Sequence, residues 1–141
     1  MIRYLWLRAY TLPNIIDTTA IIAKDVRIGE GTFIGKRAVV NAGAAIGKMT
    51  IINTAAIIEH DCMIGDFSHV AVNATLCGAV SVGAHCLIGA NVTIIQGITI
   101  GDNTVIGANS TILRKTPGNQ TIYGIFRGGA INNLQFLRDA S

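Results

Sequence analysis

Residues 22–47 read I-A-K-D-V-R-I-G-E-G-T-F-I-G-K-R-A-V-V-N-A-G-A-A-I-G, and an aliphatic residue stands at every sixth place: Ile22, Ile28, Ile34, Val40 and Ile46. Outward from this stretch the beat runs without insertion from Ile16 to Ile112, through Ile52, Ile58, Ile64, Val70, Leu76, Val82, Ile88, Ile94, Ile100 and Ile106. Four residues after each comes something small or compact, such as Val26, Thr32, Ala38, Ala44, Thr50 and Cys62. A period of six fits the alternation of strands and not the turn of a helix. Self-similarity at a short fixed period marks a solenoid, in which each repeat buries its apolar row only by stacking on its neighbours.

Glycine follows the aliphatic residue at Gly29, Gly47, Gly65, Gly83 and Gly101, eighteen residues apart, whereas the interleaved column Ala23, Asn41, Glu59, Cys77, Ile95 and Leu113 has none. Asn73, Asn91 and Asn109 repeat the same interval. Unequal columns mean unequal corners, so three hexads make one coil and the chain is predicted to be all-β, a triangular prism of parallel strands. Recurrent glycine fits corners that need a positive φ or a close approach of backbone. Asparagines in register can ladder their amides from coil to coil. The repeats make a little over five coils, roughly 25 Å of stack at about 4.8 Å a layer.

The boundaries follow: 1–15 as an N-terminal cap, 16–117 as the β-helix domain and 118–141 as a C-terminal cap or tail. The opening M-I-R-Y-L-W-L-R-A-Y is too short for a membrane span and no cleavage pattern follows it, so it reads as a plug for the first coil. Thr116-Pro117-Gly118 ends the repeat, and Ile131 to Arg138 has the composition of a short closing helix. Three cysteines without an export signal argue against a disulfide framework and for a reducing cytoplasm; Cys62 and Cys86 fall on the inward small position and Cys77 on a corner. The net charge of +3 is mild and the basic residues do not alternate with aromatics, so nucleic acid is not the expected partner. A small anionic ligand suits the Arg114-Lys115 pair at the last coil better.

Chemistry-bearing residues concentrate in I-N-T-A-A-I-I-E-H-D-C-M-I-G-D-F-S-H-V, Ile52 to Val70. A general base near neutral pH calls for an imidazole, and a neighbouring carboxylate would fix its tautomer. His60 has two candidates beside it, Glu59 and Asp61. Strand alternation would put either on the opposite face, so the pairing requires a corner at His60. Gly78 is eighteen after His60, on the same corner one coil along, where its N–H can serve as an oxyanion donor.

The run I-I-E-H-D-C-M-I-G-D-F-S-H-V resembles the signature of the hexapeptide-repeat sugar acetyltransferases, the family of sialic acid O-acetyltransferase and bacillosamine-pathway N-acetyltransferase. The resemblance implies a left-handed coil and an acetyl-CoA-dependent enzyme acting on an amino or hydroxyl group of a sugar, free or nucleotide-linked. It implies His60 as the general base, Asp61 as the residue that raises its basicity, His69 at the acetyl end of acetyl-CoA and Asn53 in the same site; Asn53 and Glu59 are the residues expected to contact the sugar substrate. Coenzyme A lies between subunits of a homotrimer in that family, which assigns Ala90 and Ala108 to the pantetheine arm; Lys115 is a candidate for the phosphates by its position. Members also carry an N-terminal nucleotide-sugar-binding domain with a Gly-rich βαβ turn. No such motif stands before Ile16, and the usual G-x-P-A ending gives way to Gly124-Ile125-Phe126-Arg127-Gly128, so a separate domain or protein is expected to grip the acceptor's nucleotide.

Two other functions fit the fold class. A γ-carbonic-anhydrase-like metal enzyme would need ligands at coil-related positions, and His60, His69 and His85 are nine and sixteen apart, so no metal is expected. A non-catalytic scaffold or binding solenoid would have no use for His60. An ice-binding face would require ranked threonines, which are not expected to line up here.

Overall fold

A computed structural model of the chain describes residues 10–128. Nineteen two-residue strands, joined by turns, stack into three parallel sheets that form the walls of a prism. The first wall rises from Ile15–Ile16 through Phe33–Ile34, Ile51–Ile52, His69–Val70, Leu87–Ile88 and Val105–Ile106 to Thr121–Ile122. The second runs from Ile21–Ile22 through Val39–Val40, Ile57–Ile58, Thr75–Leu76, Thr93–Ile94 and Thr111–Ile112 to Ile125–Phe126. The third holds Arg27–Ile28, Ala45–Ile46, Met63–Ile64, Ser81–Val82 and Thr99–Ile100. Every register offset between stacked strands from Ile15 to Ile112 is eighteen residues, as in Ile57↔Thr75 and Met63↔Ser81. The predicted three-hexad coil is therefore the observed one.

The second residue of each strand points into the prism. Ile34, Val40, Ile52, Ile58, Val70, Leu76, Ile88, Ile94, Ile106 and Ile112 have no exposed surface. Strand pairing goes on past Pro117, where the beat is lost: Thr116 bridges Ile100, Thr121–Ile122 stacks on Val105–Ile106, and Ile125–Phe126 stacks on Thr111–Ile112. Phe126 closes the core at the upper end. The segments 1–9 and Ile131 to Arg138, expected to plug the first coil and to form a closing helix, lie outside the described residues.

Corners obey one rule. From Gly31 to Asn109 the fourth residue of every hexad has positive φ, whether it is Gly, Asn, Asp61, Phe67, His85, Arg37 or Met49. That geometry costs a non-glycine residue about 1–2 kcal/mol. It turns the residue's N–H onto the coil below, where it meets the carbonyl of a third hexad position, as in Asp61 onto Ala42, Ala79 onto His60 and Asn91 onto Val72; at Arg37 and Gly43 it meets Thr19 Oγ1 and Asp25 Oδ2 instead. The recurrent glycines Gly29, Gly47, Gly65, Gly83 and Gly101 are not at positive φ, so of the two reasons offered by the sequence the second holds. A β-carbon on Gly65 would lie 2.6 Å from the backbone nitrogen of Ala84 on the next coil. Asn73 does ladder to Asn91, donating from Nδ2 to Oδ1 at 2.7 Å.

Two further columns are visible in the coil. Inside the prism, Thr32, Thr50, Ser68 and Cys86 point their hydroxyl or thiol at the carbonyls of Gly47, Gly65, Gly83 and Gly101. On the outside of the second wall Thr75, Thr93 and Thr111 stand in register, against the expectation that the threonines do not line up. They form a single rank, continued by Ile57 below and Ile125 above. The first wall carries an apolar outer column, with Ile15, Phe33, Ile51, Leu87 and Val105 each more than a third exposed and His69 in their midst. No helix among the described residues is long and apolar enough to cross a membrane.

Candidate active site

His60 and Asp61 occupy the turn between the second and third walls. Asp61 takes the positive-φ place, at 60°, and this bend brings its carboxylate back beside its neighbour. Nδ1 of His60 and Oδ2 of Asp61 are 3.1 Å apart. The corner that the pairing requires is present, and of the two acidic candidates it is Asp61 that holds the ring. Glu59 sits half-buried at the end of the second wall and its carboxylate helps raise the thiol of Cys62, whose burial is the larger cause. Both members of the His60–Asp61 pair are open to solvent, with side chains 62% and 68% exposed. An exposed pair of this kind adds little to stability, so its geometry is not explained by holding the coil together.

An ionised carboxylate only accepts hydrogen bonds, so Nδ1 of His60 donates and Nε2 is left with its lone pair. That nitrogen lies over Gly78. A β-carbon on Gly78 would meet Nε2 at once and would be 2.6 Å from Cε1. Gly78 itself is not at positive φ, so the imidazole and not the backbone angle excludes a side chain there. Its carbonyl accepts from Gly97 N–H, while its own N–H takes part in no hydrogen bond among the described residues.

A second cluster lies on the first wall. The Thr54 N–H donates to Asn53 Oδ1 at 2.8 Å, which turns Nδ2 of Asn53 toward Nε2 of His69 at 3.3 Å. Since the amide nitrogen only donates, Nε2 of His69 is an acceptor and its proton is on Nδ1. Burial against the wall holds the His69 pKa below its usual range, consistent with a neutral ring. Ala90 and Ala108 belong to the corner at the end of this same wall, and the Ala90 carbonyl accepts from Asn109.

The predicted residues therefore fall into two groups. His60, Asp61 and Gly78 share the corner between the second and third walls, with Arg114-Lys115 three coils above His60, roughly 14 Å up the same edge. Lys115 lines a shallow cleft of about 350 Å³ with Thr99, Thr116 and Pro117. Asn53, His69, Ala90 and Ala108 are on the first wall and its far corner. One chain does not bring the two groups together. His85 belongs to neither and stacks on Phe67, with ring centroids 5.1 Å apart. Among the described residues no three His, Cys, Asp or Glu side chains converge to hold a metal ion. Sequence reasoning missed Gly43, which lies under the Asp61 carboxylate; its place eighteen before Asp61 was the available signal.

Residues 25–53 and 79–114 match the family described as the hexapeptide repeat of succinyl-transferase. Among solved structures, a perosamine N-acetyltransferase from Caulobacter crescentus, in complex with CoA and GDP-perosamine, is 34% identical with a TM-score of 0.85, covering 86% of this chain and 58% of its own. The acetyltransferase domain of PglB from Neisseria gonorrhoeae is 30% identical with a TM-score of 0.86, covering 87% of this chain and 60% of its own, and is also known with acetyl coenzyme A. WeeI from Acinetobacter baumannii, 21% identical with a TM-score of 0.72 over 87% of this chain and 60% of its own, shares the fold. A search of curated protein sequences gives no match. The chain spans less than two thirds of the length of each of these structures.

Proposed function

With the left-handed β-helix of the hexapeptide-repeat acyltransferases as its fold, and sugar N-acetyltransferases among the structures it resembles, we propose that this chain transfers an acetyl group from acetyl-CoA to an amino or hydroxyl group of a sugar. The observation that carries the reading is the orientation of His60, whose Nδ1 is tied to Asp61 while Nε2 stands over Gly78. Such a ring is ready to accept a proton from an acceptor as it attacks the thioester carbonyl. The Gly78 N–H stabilises the oxyanion that forms. As the carbon–sulfur bond breaks, the imidazolium returns the proton to the departing thiolate, and no covalent bond to the enzyme is made. His69, with its proton on Nδ1, serves the acetyl end of the donor, and Asn53 holds His69 in that tautomer. Nucleotide-linked sugars are the favoured acceptors because the resembling perosamine enzyme was solved with one.

Two half-sites on different corners call for two copies of the chain. A homotrimer closed through the apolar first wall would set His69, Ala90 and Ala108 of one copy against the His60 corner of the next. Rotation about an axis parallel to the stack leaves height unchanged, so along the shared groove the residues would follow in sequence order. Chemistry would sit at His60, His69 and Gly78, the pantetheine arm at Ala90 and Ala108, and the phosphates at Lys115. The free thiols of Cys62, Cys77 and Cys86 suit a reducing cytoplasm. A separate domain or partner protein gripping the acceptor's nucleotide completes this reading.

Thiol release from acetyl-CoA, measured against a panel of amino sugars and their nucleotide conjugates, tests the proposal. Turnover with at least one acceptor is expected, and His60→Ala should lower it by about 10²–10⁴ with coenzyme binding nearly intact. An undiminished rate in that variant would remove the general base and with it the mechanism.

A further inference from the structure

We propose that Gly43 is a positioning residue for the His60–Asp61 pair: by having no side chain it leaves the space in which the Asp61 carboxylate must lie to hold Nδ1 of His60. This inference rests on the reading of His60 as the general base. A β-carbon on Gly43 would collide with Oδ1 of Asp61 and come within 3.3 Å of its Cγ. Gly43 cannot withdraw easily, because its N–H is held by Oδ2 of Asp25 at 3.0 Å and the Ala42 carbonyl beside it is held by Asp61 N–H at 3.0 Å. What gives way is therefore the free end of Asp61. Relief of the collision needs about 1 Å of movement in the carboxylate, enough to end a hydrogen bond. The Asp61 carboxylate is thus confined from one side by Gly43 and engaged on the other by His60, whose ring in turn fills the space above Gly78.

The chain contains its own control. Gly97 occupies the same column three coils above Gly43, with φ of 74° against 75°, and a β-carbon there would meet nothing within 4 Å. Ala79, between them in that column, shows that alanine is accepted at this corner. Gly43→Ala and Gly97→Ala therefore share the backbone cost and differ in the encounter with Asp61.

The test compares wild type, Gly43→Ala, Gly97→Ala and Asp61→Asn, each as the full chain labelled with ¹⁵N-histidine. Imidazole nitrogen shifts report which ring nitrogen of His60 carries the proton, and acetyl transfer is measured on the same samples. Wild type and Gly97→Ala are expected to keep the proton of His60 on Nδ1. Gly43→Ala is expected to lose that preference, as Asp61→Asn does, and to lose about 10-fold or more in kcat with KM for acetyl-CoA unchanged. Urea midpoints of the two glycine variants should agree. A His60 ring in Gly43→Ala that matches the one in Gly97→Ala overturns the inference and leaves the proposed function standing. Absence of acetyl transfer in wild type overturns the proposed function instead, and the imidazole shifts still decide whether Gly43 positions the pair.

Discussion

A β-carbon on Gly78 would lie 2.6 Å from Cε1 of His60 and nearer still to Nε2, so the His60 ring and the coil above it share one small space. Alanine at this position leaves the backbone content, since the same column accepts Lys24, Ala42, Gln96 and Arg114. It displaces the imidazole. Gly78→Ala is expected to unfold at the same urea concentration as wild type while its kcat falls at least 100-fold. Because the damage passes through one ring, the double variant His60→Ala/Gly78→Ala should be no slower than His60→Ala alone. Additive losses would mean that Gly78 contributes independently of the ring.

Two buried hydroxyls, at Ser68 and Thr116, predict contrasting stability effects. Ser68 Oγ donates to the Gly83 carbonyl at 2.7 Å and accepts from Cys86 N–H at 3.0 Å, so Ser68→Ala strands two buried backbone groups. A loss of about 1–3 kcal/mol is expected. Thr116 is buried too, but its hydroxyl has no partner among the described residues. Thr116→Val removes a desolvated group of similar volume and should leave stability unchanged or raise it by about 1 kcal/mol. Urea denaturation of the two variants measures both, and equal destabilisation would refute the distinction.

Most of the prism was legible because burial of one aliphatic row is the strongest constraint on a solenoid, and that row is written at a fixed interval from Ile16 to Ile112. The corner residues were harder. Positive φ was sought among the glycines, but the chain places it at Met49, Phe67 and His85 as well, because each N–H there bonds a backbone carbonyl of the coil below and that bond is blind to side chain. The threonine rank at Thr75, Thr93 and Thr111 was readable as an eighteen-residue interval and was missed, as was the inner column through Ser68. Continuation beyond Pro117 was not legible, since the chain leaves the hexad beat there and regains the first two walls only after an irregular turn. The candidate residues of the site were named from the sequence; their division between two corners required the coil.

His69 predicts a pH effect on stability. Burial lowers its folded-state pKa from the ordinary 6.5, so on acidification the unfolded chain takes up the proton first. Above that range His69 costs nothing; as pH falls through it, stability is lost until the folded ring can protonate as well. His69→Gln keeps an acceptor for the Asn53 amide and has no titration. Between about pH 7 and about pH 5 the urea midpoint of wild type should fall more steeply than that of His69→Gln. Parallel profiles would place His69 in a more solvated setting than the wall provides.

The separation of His60 from His69 makes the last prediction. If an active site takes its base from one copy and its acetyl contact from the next, then His60→Ala and His69→Ala each disable every site of a pure trimer by at least one part. Refolded together in equal amounts, the two variants produce some interfaces in which an intact His60 corner faces an intact first wall. Random assembly of a cyclic trimer gives about a quarter of sites of that kind, so activity should return to about a quarter of wild type. A second substitution that introduces charge into the apolar outer column, such as Leu87→Asp in both chains, should abolish this recovery and reduce the mass in sedimentation. Mixed variants that stay as inactive as the separate ones, at trimeric mass, would mean that His60 and His69 do not meet across an interface.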